Sequence, residues 1–361
     1  NVLQVRDSVE RISEEENIPI FEVPHLLKKA KKILFDAREK REKPARDEKI
    51  ITAWNGLMIT ALATGYCVLR DPSCLDTARR AGEFLWTRQW RDDRLQRIHK
   101  DGQSKIDGCL EDYACFLEAL LALYEASLDS VWMDRAVQTA DRMIEEFWDA
   151  SEGGFFLTGV SQEPLILRLK SAADEAVPSA NAIAALALTR LAHGTGNFDY
   201  LKKAEKTVRA FQGALERSPA AFKGLLGVVD FLRTPPTEVV FAGPRDDARF
   251  EELQRVLYQD FRPNKIVLWR ENEETERRLP LAEGRTALQG KPTVYLCQNQ
   301  TCHPPVQSGE GLGRLLERPP EIRINIYDAE KHRVEIESQQ QQDFLSAMDR
   351  IFKQSGLKGK K

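Results

Sequence analysis

A repeated pairing of two helix types constrains this chain more than any other feature. ITAWNGLMITALATGYCVL is apolar almost all round, and the following LDTARRAGEFLWTRQW carries charge along one face. EDYACFLEALLALYEAS with WMDRAVQTADRMIEEFW, and PSANAIAALALTRLAHG with FDYLKKAEKTVRAFQGAL, repeat that order. A helix apolar on every side must be covered on every side, whereas a one-sided helix lies outside it against solvent. Inner and outer helices in alternation predict a mainly α chain folded as a toroid, and the pairs present amount to about half of a closed six-hairpin ring.

The flanking segments fit this order. PHLLKKAKKILFDAREKREKPARD reads as a charged lead-in helix that Pro44 ends. After the first and second pairs, RLQRIHKDGQSKI and GGFFLTGVSQEPLILRLK read as short β-hairpins, with Gly153 and Gly154 supplying turn chemistry. AAFKGLLGVVDFLR adds one more helix after Pro219. The pattern changes at Pro235 and Pro236. TEVVFAG, DARFEELQRVLYQDF and NKIVLW read as a βαβ unit, with PTVYLC as a further strand in a small sheet with parallel pairing, and GLGRLLE as a helix. EIRINIY and HRVEIE read as a hairpin and QQQQDFLSAMDRIFKQ as a closing helix. The expected domains are residues 1–234, 235–318 and 319–361.

Composition excludes several function classes. A net charge of -3 over 361 residues gives no reason to expect a nucleic-acid or membrane surface. No apolar run has the length of a membrane span, and Asn1 to Asn17 is too polar for a signal peptide. The missing initial Met suggests part of a longer product. Six cysteines, Cys67, Cys74, Cys109, Cys115, Cys297 and Cys302, are sparse and suit a reducing, cytoplasmic compartment better than a disulfide framework. The first four read as structural core thiols.

KPARDEKIITAWNGLM, LEDYACFLEALLALYEAS, GGFF, DEAVPSANAIAA, RPNKIVLW and VYLCQNQTC occur in that order. Together they resemble the spermatogenesis-associated protein 20 family, also described as thioredoxin domain-containing proteins, from residue 1 to about Leu316. The resemblance implies a partial (α/α)6 barrel of the six-hairpin glycosidase-like type followed by a small α/β segment. It implies two partners absent from this sequence, an upstream thioredoxin-like domain and the opening barrel hairpins. It supplies no defined activity.

In such barrels the cleft is lined by the ends of inner helices. Here polar residues gather at the N-terminal ends of those helices: Asp47, Trp54 and Asn55 at the first, Glu111, Asp112 and Tyr113 at the second, Asp174, Glu175, Ser179 and Asn181 at the third. Carboxylates there are held ionised by the helix dipole and unpaired N–H groups. Asp112 and Asp174 are the pair expected to carry glycoside chemistry as hydrolase or isomerase. Asp47, Asn55, Glu111, Ser179 and Asn181 are expected to bind sugar hydroxyls, and Trp54 and Tyr113 to face a sugar ring. The competing reading makes Asp112, Ser179 and Asn181 helix caps and the aromatics core residues. A sugar 2-epimerase would need cleft histidines. His193 sits at a helix end, and only His99 lies near a barrel mouth. No metal or cofactor is read from the sequence. Cys297 and Cys302 form an oxidisable thiol pair, since zinc at Cys297, Cys302 and His303 would lack a fourth ligand. The functions in view are a carbohydrate-directed cleft and a non-catalytic scaffold for an upstream redox domain.

Overall fold

The computed structural model describes residues 4–163, 166–234, 236–298 and 301–317. The hairpin expected at EIRINIY and HRVEIE and the closing helix after it lie outside the described residues. The chain divides into two compact units, Asn1–Glu48 and Lys49–Lys361. The first holds α1 (Val9–Glu16) and α2 (Val23–Glu39), and α2 leaves Leu26, Ile33, Leu34 and Phe35 exposed.

The second unit carries the helix pairs. Its helices are α3 (Thr52–Leu69), α4 (Pro72–Phe84), α5 (Leu110–Ser127), α6 (Ser130–Phe147), α7 (Ala180–Thr195), α8 (Phe198–Ala210), α9 (Gln212–Arg217) and α10 (Lys223–Arg233). α3 packs on α4 and α5, α5 on α6 and α7, and α7 on α8 and α10. The succession α3–α5–α7–α10 is therefore the inner layer of a partial α/α barrel, and α4, α6 and α8 are the outer one. Capping follows the sequence closely: Asp71, Asp129 and Asn197 each accept a hydrogen bond from a backbone N–H in the first turn of an outer helix. At Gly56 an added Cβ would stand 2.7 Å from the carbonyl carbon and oxygen of Cys115, so α3 and α5 meet backbone to backbone there.

The first link is the expected hairpin. β1 (Ile50–Ile51) and β4 (Gln103–Asp107) flank β3 (Arg94–Lys100), which also pairs with β2 (Trp90–Arg91), all antiparallel. Within it His99 Nδ1 lies 2.9 Å from Ser104 Oγ, and the His99 ring packs edge-on against Phe84. The second link corrects the sequence reading. Among its described residues it forms no strand ladder, only a bridge between Trp148 and Phe155. Side chains hold it instead. Lys170 donates to Asp149 at 2.6 Å, and Asp149 also accepts from the Ser151 hydroxyl. Arg168 donates to the carbonyls of Thr158 and Glu146, each at 3.0 Å. Gly153 and Gly154 take positive φ, as turn glycines do.

The α/β segment is a mixed sheet. β5 (Thr237–Ala242) and β6 (Lys265–Arg270) are parallel, joined through α11 (Ala248–Leu257). β7 (Thr293–Gln298) runs antiparallel to β5, and the short β8 (Thr301–Cys302) antiparallel to β7, so only the first pair matches the expected parallel pairing. α12 (Glu273–Arg278) and α13 (Gly309–Glu317) complete the described chain. Among the described residues no helix is long and apolar enough to cross a membrane.

Candidate functional site

The polar residues at the inner-helix N-termini tie neighbouring helices together. α3 has no side-chain cap of its own. Asp112, on α5, supplies one by accepting from Ala53 N–H at 3.1 Å, and it also accepts from Cys109 N–H at 3.0 Å and from Arg97 at 2.9 Å. Asp112 is 0% exposed. Burial raises its pKa against the pull of Arg97 and the N–H donors. The same cluster holds Cys109, whose thiol burial and Asp112 push up to about 12.

Asp174 repeats the arrangement one hairpin later. It accepts from Ser179 N–H at 2.9 Å, ahead of α7, and from Gly224 N–H at 2.8 Å in α10, whose N-cap Phe222 offers no side-chain bond. Asn181 clamps both backbone groups of Phe155 and the Ser171 carbonyl, and Ser179 caps α7 through Ala182 N–H. Tyr113 is buried, and its hydroxyl accepts from Leu95 N–H at 2.9 Å, so it has no face to offer a sugar. Asn55 bonds the Ile51 carbonyl, and Glu111 pairs with Arg97 at 3.4 Å. Asp47 belongs to the first unit and Trp54 to the second, where Trp54 stands 63% exposed. Glu175 is exposed. The expected catalytic use of Asp112 is corrected by this geometry: its oxygens are enclosed and engaged as caps and an ion pair, leaving none to meet a substrate. Asp174, too, uses both oxygens as caps.

The concave site lies toward the other ends of the same helices. A cavity of about 600 Å³ is lined by α3, α5, α7 and α10 from their middles toward their C-terminal ends and by residues 258–265, which lead from α11 into β6. α5 is buried on every side except at Glu111, Glu118 and Glu125, a stripe with seven-residue spacing. Glu118 and Glu125 line the cavity and grip Arg190 of α7 from two sides; the Arg190–Glu125 contact is 2.8 Å. Burial works against the Arg190 charge, but Glu118 and Glu125 more than offset it, and its pKa is raised. Burial raises the pKa of Glu118 despite Arg190, with Glu125 adding to the rise.

Other lining charges are also engaged. Asp230 accepts from Asn264 at 2.7 Å, Arg262 lies 3.4 Å from Asp260, and Lys265 donates to the Arg262 carbonyl at 3.1 Å. Three buried atoms of the lining, Glu118 Oε2, Tyr258 Oη and Arg262 Nε, have no hydrogen-bond partner among the described residues. A buried polar atom left unpaired costs about 1–3 kcal/mol. Phe261, 92% exposed, stands at the rim. The signal for this site is in the sequence, as glutamates spaced by seven along an otherwise buried helix. The loop that closes it comes from far along the chain.

Spermatogenesis-associated protein 20 of Homo sapiens is 31% identical to this chain over 330 residues, covering 88% of the chain and 42% of the relative. The Rattus norvegicus protein of that name gives the same figures. The chain belongs to the spermatogenesis-associated protein 20-like family. It spans about two fifths of the length of these family members, 42% in each case. No protein-family model matches it. Among solved structures, a cellobiose 2-epimerase from Bacillus thermoamylovorans overlaps 46% of each chain at 15% identity and TM-score 0.39. A GH76 α-mannanase from Bacteroides thetaiotaomicron overlaps 47% of each at 17% identity and TM-score 0.40. Overlaps of this size leave the description of the fold to the chain's own helices.

Proposed function

We infer that the inner-helix cavity binds a small neutral carbohydrate. The observation that carries this reading is the unpaired Glu118 Oε2 in a wall whose cations are already engaged by carboxylates or carbonyls. A phosphorylated ligand needs free cationic donors, and Arg190 is held by two glutamates. A polyhydroxylated neutral ligand can donate to Glu118 and accept from Arg262 without displacing an ion pair. Thr60 and Thr64 add hydroxyls, and Phe261 offers an apolar face at the rim. The volume lies within the range of small-molecule sites, about 300–1,000 Å³.

The test is calorimetric titration of the chain with neutral mono- and disaccharides and their phosphorylated counterparts. Saturable binding of a neutral sugar, weakened at least tenfold by Glu118→Ala and unchanged by Trp54→Ala, is the expected result. Absence of binding by every neutral sugar at millimolar concentration, or preference for the phosphorylated ones, rejects it.

A second reading, as a scaffold for further segments of a longer family member, rests on one stripe of α3. Trp54, Met58, Val68 and Leu69 are all exposed and fall on one helical face. Under that reading the opening barrel hairpins of the longer polypeptide cover the stripe, and hydrogen exchange in α3 is slower there than in this chain alone. Equal exchange rates in both would remove it.

A further inference from the structure

We propose that Cys297 and Cys302 form an exchangeable redox centre, in which a vicinal dithiol reduces the disulfide by attack at Cys302 and Arg285 stabilises the departing Cys297 thiolate. The two residues face each other across the antiparallel pair β7–β8, with Cα atoms 4.0 Å apart, and are joined as a disulfide. Three features point beyond a static staple. The pair is asymmetric: Cys297 is 1% exposed, and Cys302 lies exposed on an edge strand of two residues. One sulfur is therefore open to a nucleophile and the other is shielded. Arg285, from the segment before β7, places its guanidinium 3.1 Å from Cys297 Sγ and 3.3 Å from Cys302 Sγ. A disulfide carries no charge for a cation to neutralise, whereas a thiolate does, so the contact gains most when the bond is broken. Lastly, the residues are only 5 apart in sequence, and so short a loop stabilises the fold less than a long crosslink would.

The reaction balances as two thiol–disulfide exchanges. A thiolate of the incoming dithiol attacks Cys302 Sγ. The Cys297–Cys302 bond breaks and its electron pair departs on Cys297 Sγ, beside Arg285. The second thiol of the reductant, deprotonated, then attacks its own sulfur of the mixed disulfide, expelling Cys302 as thiolate. The dithiol is oxidised to a disulfide, the protein pair is reduced, and the two protons lost by the reductant return to the protein thiols. A more stable leaving thiolate leaves faster.

Cys67, Cys109 and Cys115 serve as internal controls. Burial pushes the Cys67 thiol up to about 11 and Cys109 up to about 12, and it raises Cys115 as well, so these stay protonated and unreactive at neutral pH. The experiment follows opening of the pair in the intact oxidised chain by dithiothreitol at pH 7, using differential alkylation and peptide mass spectrometry, with glutathione to trap the mixed disulfide. Expected are glutathione on Cys302 and none on Cys297, opening slowed roughly five- to tenfold in Arg285→Gln, and recovery of most of that rate in Arg285→Lys, as leaving-group stabilisation requires. Glutathione on Cys297, equal rates in the native chain and Arg285→Gln, or a pair that stays as free thiols under mild oxidant would each overturn the proposal. A circular-dichroism melt of each variant separates a misfolded sheet from a slowed exchange.

Discussion

The two ends of the inner helices hold similar residue types in opposite circumstances. Near the N-terminal ends, Asp112 and Asp174 each cap two neighbouring helices, and Asn181 pins the preceding link. Near the C-terminal ends, Glu118 and Glu125 face a cavity, one carboxylate oxygen is unpaired, and the enclosing loop comes from the α/β segment. The contrast teaches that a carboxylate at a helix start in a toroid serves first to join consecutive hairpins, because α3 and α10 have no side-chain cap of their own and take one from the preceding or following segment. The open space lies against the halves where helix N–H groups are already used.

The contrast breaks or sharpens under four measurements. Asp112→Ala has the largest expected effect, about 3–5 kcal/mol of stability by urea denaturation, since it strips two caps and leaves Arg97 without its buried partner. A stable variant that merely loses sugar binding would reverse the roles assigned to the two ends. Asp174→Ala should cost about 2 kcal/mol, near twice a single cap, because α7 and α10 each lose one. A loss well under 1 kcal/mol would show that the second hairpin junction is held elsewhere.

The third measurement concerns pH. Hydrogen bonds from Lys170 and then Ser151 hold the Asp149 pKa below its ordinary value of 3.8. A lowered folded-state pKa stabilises above the unfolded value and is lost as pH falls through it, so this contribution is complete at pH 7 and declines below about pH 4. Asp149→Asn should therefore be less stable than the native chain at pH 7 by about 1–2 kcal/mol and approach it at pH 2, in parallel thermal melts. A gap that stays constant with pH would remove Asp149 as the tether of that link. Smallest is the stability change of Glu118→Gln, expected within about 1 kcal/mol because Arg190 keeps Glu125 and no buried charge is left unpaired. The same variant should bind sugar more weakly, and a large stability loss would place Glu118 with the structural caps.

Much of this was legible in the sequence, and for physical reasons. A helix buried on all sides must be apolar on all sides, so ITAWNGLMITALATGYCVL and its two successors announce the inner layer. The βαβ unit at TEVVFAG to NKIVLW is as plain, being contiguous. The segment from Gly153 to Lys170 was not legible as it folds. Its alternation of apolar and polar residues suits a strand, but its anchors, Asp149, Glu146 and Asn181, lie outside it. Capping by Asp112 follows from its place at a helix start, yet its reach to Ala53 depends on two helices meeting, which no local pattern records. The cavity has no local pattern for the same reason. Glu118 and Arg262 are far apart in sequence and adjoin one space only once the α/β segment folds over the helix ends.

The missing side chain at Gly56 reaches further than its own contact. α3 and α5 touch there near their starts, and one turn later Thr60 and Glu118 already border the open space. The glycine thus acts as the pivot of a pair of calipers. A methyl inserted there would be a shim at the pivot, spreading the jaws by more than its own thickness where a sugar would lie. The shape of the cavity can thus change through a residue that does not line it.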